Sequence, residues 1–225
     1  MSKIIAAHQA NFLPNLGFFY KMQQADVFVV ITNLQFEKQE GWQQRNKIAG
    51  ANGDMWLTVP VLGSQNQLLK DVKINDQTNW YKKHKKTFEL NYAKSKNSYL
   101  LSNIKEIYDS NPKNLVEVNI KFIKLMKEAL EIDTELIVDH EVKGDKHELL
   151  INICKKYGAD TYLSGSGAKA YMTSEYFSKL EENCIDHKFI DNPFSNHHYS
   201  ALHYILTEGR ENVIQKLNPM ELAVA

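Results

Sequence analysis

The residues with the most chemical capacity come early. His8, Gln9 and Asn11 fall within one short stretch. An imidazole titrates near neutrality and suits general base work. The two amides each donate and accept hydrogen bonds. A second set is Gln43, Arg45 and Asn46. Arg45 can clamp a phosphate or carboxylate through paired N–H groups, with a surface ion pair as the alternative. Gln43 and Asn46 can read sugar hydroxyls, or equally cap a hairpin. The third set is Ser164-Gly165-Ser166-Gly167-Ala168-Lys169. Its glycines permit close backbone approach, and its hydroxyls and amides can hold phosphate or carboxylate. The spacing is not that of a Walker A loop, and an ordinary turn is the alternative. Trp80 and His84 stand four apart on an expected helix and so share a face. This makes His84 a second candidate imidazole, against the alternative of a surface histidine on a Lys-rich helix. No Ser-His-Asp order, nucleophile elbow or Cys-His pairing stands out. No His/Cys cluster has ligand spacing, so no metal is expected.

These residues need elements to hold them. Residues 4–7 form a short apolar run that reads as a buried strand ending at His8 and Gln9. Asn11, Pro14 and Gly17 mark a turn and a helix start. Residues 25–31 read as the next strand. Strand, loop, helix and strand make a right-handed βαβ unit, and ligands of open α/β sheets bind beyond the carboxyl ends of the strands. Alternation in 46–48 and 55–61 around Asn52-Gly53 predicts a β-hairpin. Residues 72–74 read as a short strand. A helix begins near Asn79, with Asp76 or Thr78 as its cap. Its Lys-rich stretch, 81–96, is either a solvated face or a phosphate or RNA patch. Amphipathic helices are expected at 100–108 and 115–130, a strand at 135–138, and a helix at 146–157 stopped by Gly158. A strand at 161–163 runs into the Gly-rich loop, a helix starts at Ser174, residues 191–199 form a loop, and a last helix covers 200–206. The fold class that follows is α/β: an open, mostly parallel Rossmann-like sheet with a β-hairpin and a helical insertion at about 79–130. The 225 residues are read as one domain.

Whole-chain properties exclude some functions. Lys plus Arg and Asp plus Glu number 27 each, which argues against a strongly cationic nucleic-acid binder. No apolar run is long enough to span a bilayer, and the N-terminus lacks a secretory pattern, so a cytoplasmic protein is expected. Cys154 and Cys184 are read as reduced, mostly buried thiols.

Assembled in order, several stretches resemble the WbqC-like family. They are His8-Gln9-x-Asn11-Phe12-Leu13-Pro14-x-Leu16-Gly17-Phe18-Phe19-x-Lys21, then Ala25-Asp26-Val27-Phe28, Trp42-Gln43-x-Arg45-Asn46 and Trp56-Leu57-Thr58-Val59-Pro60-Val61. Ala159 to Gly165 with Gly167, and Asn192-Pro193, complete the match. The chain departs from the family pattern at Ala10 and Ser166, where Pro is usual, and at His203, where Asp is expected. Members are associated with surface-polysaccharide and O-antigen clusters, so the resemblance implies a role in making or decorating a sugar. It implies no established catalytic residues. The opening architecture is also similar to that of nucleotidyltransferases and class I synthetases, although their opening motif has two histidines near a glycine and only His8 is present here.

The first functional expectation is transfer of an acyl or aminoacyl group, such as glycyl, to the amine of a nucleotide-linked amino sugar. Catalysis is assigned to His8, Gln9, Asn11 and His84. Substrate or phosphate binding is assigned to Lys21, Gln43, Arg45, Asn46, Trp80, Ser164, Gly165, Ser166, Gly167 and Lys169. No cofactor is evident beyond an activated acyl or aminoacyl donor, for which aminoacyl-tRNA is one source. Nucleotidyl transfer between a nucleoside triphosphate and a sugar phosphate is the alternative enzyme. A non-catalytic nucleotide-sugar-binding subunit is the alternative without turnover.

Overall fold

A computed structural model describes residues 2–38, 41–63 and 66–218, with only the backbone of Tyr171. Gln39 and Glu40, in the polar run after the second strand, lie outside the described residues. The chain runs through β1 (Ile4–Gln9), α1 (Leu16–Gln23), β2 (Val27–Ile31), β3 (Arg45–Gly50), β4 (Gly53–Thr58), α2 (Trp80–Tyr92), α3 (Leu100–Asp109) and α4 (Leu115–Ala129). It continues through β5 (Glu135–Asp139), α5 (Lys146–Tyr157), β6 (Thr161–Gly165), α6 (Ser174–Glu182), β7 (Asp186–Ile190), α7 (Ala201–Glu208) and α8 (Arg210–Leu217).

Among the described residues, five parallel strands form one sheet in the order β5-β2-β1-β6-β7. Every residue of β2 is buried, as its unbroken Val-Phe-Val-Val-Ile run requires of a central parallel strand. Alternation divides the sheet into two faces. Ala6, Phe28, Val30 and Leu163 join α1, α2, α3, α4, α7 and α8 in one core. Ile5, Ala7, Val27, Val29, Ile31 and Tyr162 join α5 and α6 in a second core. The helices of residues 79–130 therefore share the larger core with the sheet. The chain order moves outward from β1 in one direction to β2 and β5, then returns to β6 and β7 on the other side. The reversal lies between β1 and β6, where an open sheet parts its loops and receives ligands.

The hairpin of β3 and β4 stands apart from this sheet, with Gly50 paired to Gly53 across the turn. Gly53 has φ +106°, a region costly for other residues. Four expectations need correction. Cys154 is buried, but Cys184 sits in the turn after α6 and is exposed. Residues 72–74 make only isolated bridges, Val61 to Ile74 and Lys73 to Asn114. Neither Asp76 nor Thr78 caps α2: Asp76 pairs with Lys113, and Thr78 Oγ1 donates to the Asn75 carbonyl. Strand β7 and helix α8 were not expected from the pattern. Asp186-His187-Lys188-Phe189-Ile190 is polar because it is an edge strand, half open to solvent.

Candidate functional site

A cavity of about 410 Å³ opens at the reversal point of the sheet. Its floor is the carboxyl end of β1, with His8 and Gln9. Asn11, Pro14 and Asn15 of the following loop form one wall, with Gly17, Phe18 and Lys21 of α1. Trp42 and Asn46 come from the hairpin side, Gly165 from the end of β6, and Ile190 to Asn192 from the end of β7.

The β1–α1 loop is fixed from several directions. Leu13 is fully buried with φ +47°, a strained setting for a branched residue. Its carbonyl accepts from Asn46 Nδ2 at 2.6 Å. The Phe12 N–H donates to the Trp42 carbonyl at 2.9 Å. Asn119 Nδ2, on α4, donates to the Ala10 and Gln43 carbonyls at 2.7 Å each. The loop is thus tied to α4 at the Ala10 carbonyl. Asn15 caps α1 by accepting from the Phe18 N–H at 3.1 Å, so the positive end of that helix faces the cavity. A Cβ on Gly17 would come within 2.7 Å of the Asn192 side chain, which is why the helix carries glycine there.

Four titratable side chains line the cavity: His8, Tyr20, Lys21 and Asp191. His8 Nδ1 lies 3.1 Å from the Gln9 carbonyl. A carbonyl only accepts, so Nδ1 carries the proton and Nε2 presents its lone pair. Burial, then the charge of Lys21, pushes the imidazole pKa down to about 3. The ring is neutral at physiological pH. Lys21 Nζ donates to the Ala7 carbonyl at 2.9 Å, and burial pulls its pKa down to about 8. It retains two more N–H donors. Gln9 Oε1 accepts from Gln43 Nε2 at 2.8 Å, and Gln43 Oε1 accepts from the Glu37 N–H. Gln43 is thereby a buried brace that orients Gln9. Asn11 is nine-tenths buried, and its Oδ1 has no hydrogen-bond partner among the described residues. Asn11 lines the cavity, and this oxygen, with almost no exposed surface, is an unmet acceptor set behind the wall.

The other expected site residues lie elsewhere. His84 and Trp80 do share a face, but it is a buried one. His84 Nδ1 meets the Tyr108 hydroxyl at 3.0 Å, and the imidazole also bonds the backbone of Thr58. Neither residue lines the cavity. Ser164 faces the opposite side of the sheet, its Oγ 2.9 Å from His187 Nε2. β6 runs on through Ser164 to Gly165, and Ser166 starts a 3-10 turn that includes Gly167 and Lys169. Lys169 Nζ lies over the Phe189 ring. Of that loop only Gly165 reaches the cavity, and no atom lies within 4 Å of a Cβ built there. Arg45 stands outside the cavity, over the Trp56 ring. Sequence reasoning gave Asn15, Asp191 and Asn119 no part in the site. The run Ile190-Asp191-Asn192-Pro193, an apolar strand end followed by turn formers, was the available signal for the second of these. No group of three or more His, Cys, Asp or Glu is gathered as for a metal among the described residues. No helix there is long and apolar enough to cross a membrane.

A family model described as the WbqC-like protein family matches residues 9–205. An uncharacterized protein of Mycobacterium tuberculosis, Rv1507c, is 30% identical over 184 residues, covering 79% of this chain and 79% of that protein. No solved structure matches the chain significantly.

Proposed function

The chain belongs to the WbqC-like protein family, and from that premise we propose that it transfers an acyl or aminoacyl group to the amine of a nucleotide-linked amino sugar for a surface polysaccharide. The observation that carries this reading is the pairing of a neutral imidazole with a buried ammonium in a cavity whose lining also includes five amide side chains, Gln9, Asn11, Asn15, Asn46 and Asn192, beside the aromatic rings of Phe18, Tyr20 and Trp42 and the carboxyl group of Asp191. Amides suit sugar hydroxyls and N–H groups. The pairing suits addition of an amine to an ester or thioester.

The amine nitrogen attacks the donor carbonyl and the C–N bond forms. The carbonyl oxygen gains negative charge, which the Lys21 ammonium stabilises with an N–H not used on Ala7. The nitrogen, now strongly acidic, loses its proton to His8 Nε2. This ordering suits an imidazole that is a weak base: it is needed only once the bond has begun to form. The carbon–leaving-group bond then breaks, and the departing alkoxide or thiolate takes the proton from His8. An activated donor, aminoacyl-tRNA among the candidates, supplies the acyl group.

The test incubates the purified protein with amino-sugar nucleotides and a panel of acyl thioesters and aminoacyl-tRNAs. Mass spectrometry should find the sugar nucleotide heavier by one acyl or aminoacyl group. His8→Ala should lower that rate by about 10²- to 10⁴-fold; full turnover by this variant would remove His8 as the base. The location of the cavity at the sheet reversal also favours a second reading, nucleotidyl transfer. That reading requires pyrophosphate release from a nucleoside triphosphate and a sugar phosphate. Binding of nucleotide sugars with no turnover in any pairing would leave a binding subunit.

A further inference from the structure

Trp42 and Trp56 are 43% and 47% exposed. Large aromatic rings are favourably buried, so two left in water beside one another call for a partner. Their ring centroids are 5.9 Å apart with 26° between the planes. The Arg45 guanidinium lies 4.8 Å from the Trp56 centroid. Lys47 Nζ lies 5.7 Å from the same ring and is paired with Asp54 at 2.7 Å. The hairpin's alternation explains the layout. Asn46, Ile48 and Leu57 point inward and are buried, while Arg45, Lys47 and Trp56 share the outer face. Trp42 lies between the two settings: it stacks on Trp56 and also lines the cavity. Its carbonyl is held by the Phe12 N–H, so its backbone is anchored to the site loop. The result is a fixed aromatic platform at the cavity mouth with a cation behind it.

The cavity volume, about 410 Å³, is at the lower end for small-molecule sites. It accommodates a sugar and its reacting amine, and a whole nucleotide sugar must continue across the rim. Resting on the transfer reading above, we propose that Trp42, backed by Trp56 and Arg45, is the subsite for the nucleobase of the acceptor. The base lies flat on Trp42, the diphosphate crosses the rim on the Arg45 side, and the sugar amine reaches His8. Stacking accepts any base, because every base has a π-face. Discrimination is then left to the sugar end.

Tryptophan fluorescence tests this without turnover. Trp80 is buried and gives a background, so changes report on Trp42 and Trp56. Uridine and adenosine diphosphates should each quench the emission saturably. Trp42→Ala should weaken that binding by about 10- to 100-fold, Trp56→Ala by less, and Trp42→Phe should restore most of it. Thermal unfolding checks that each variant is folded. An amino-sugar phosphate without a base should leave the emission unchanged. Quenching by base-free sugars in preference to nucleotides, or no quenching by any nucleotide, overturns the subsite. The two readings fail separately. Nucleotide binding at Trp42 without acyl transfer upholds the subsite and sinks the transfer. Acyl transfer with an unaltered KM in Trp42→Ala does the reverse.

Discussion

Two buried imidazoles invite comparison. His8 ends a central strand and lines a cavity; His84 sits in the middle of α2 under the hairpin. Burial lowers both pKa values, to about 3 and about 4, so a depressed pKa does not separate them. Their partners do. His84 has the Tyr108 hydroxyl on Nδ1 and the backbone of Thr58 as a second contact, and Trp80 and Phe12 pack around it. It joins α2 to α3 and to the hairpin. His8 spends Nδ1 on its neighbour's carbonyl and shares its cavity with the Lys21 ammonium. A histidine whose nitrogens are consumed by the fold is structural. One that keeps a lone pair beside open space is available for chemistry.

The comparison breaks most readily at turnover. His8→Gln should cost about 10²- to 10⁴-fold in rate, and His84→Phe should keep the rate within a few-fold. A folded His84→Phe protein without activity would erase the distinction. Both histidines also tie stability to pH with the same sign, and His84 shows how. Between pH 6.5 and about 4 the unfolded chain binds a proton on this histidine that the native chain does not, so stability falls as the pH falls. His84→Phe should flatten that slope in denaturant titrations taken across the range.

Lys21 sharpens the contrast next. Lys21→Met should lower turnover by about 10²- to 10³-fold through loss of the oxyanion partner. The same variant should melt a few degrees higher. With its pKa pulled from 10.5 to about 8, the lysine costs about 3 kcal/mol below pH 8. Native stability of the unmodified chain rises with pH between 8 and 10.5, where the unfolded state binds the extra proton. Turnover should fall over the same interval as the ammonium is lost. An activity that rises above pH 8 would show Lys21 working as a base instead.

Smaller effects are expected where the cavity wall is only adjusted. Gly17→Ala places a methyl against Asn192 and should weaken acceptor binding by roughly 10-fold with little change in rate once bound. Asn46→Ala removes the donor to the Leu13 carbonyl. It should cost about 1–2 kcal/mol in urea unfolding and raise KM by a few-fold.

Much of this arrangement is legible in the residues. The Val-Phe-Val-Val-Ile run, the Lys146–Tyr157 helix with Gly158 after it, and the Asn52-Gly53 hairpin follow from periodicity and turn chemistry alone. So does the loop after β1, where polar residues stop an apolar strand. What local pattern misses is set by distant partners. Trp80, His84, Phe88 and Tyr92 recur every fourth residue and are all buried, but the lysines between them make the helix read as solvated. Ser164 reads as a phosphate ligand until the sheet's two faces are resolved and it turns to His187 on the far side. Strand β7 is hidden by its edge position, and with it the contribution of Asp191 and Asn192. Asn119 gives no local sign at all, since its two acceptors come from loops remote in the chain.

That last residue has a consequence for how the molecule breathes. α4 contributes nothing to the lining of the cavity, and a two-stranded hairpin has little stability of its own. One amide nitrogen on α4 nevertheless grips both the segment entering the hairpin and the segment leaving β1. The two walls cannot loosen one at a time without stranding a buried donor. In native-state hydrogen exchange they belong to one cooperative unit with the middle of α4: the Phe12 amide, bonded to Trp42, should exchange with the opening free energy of that helix, well above that of an ordinary surface loop.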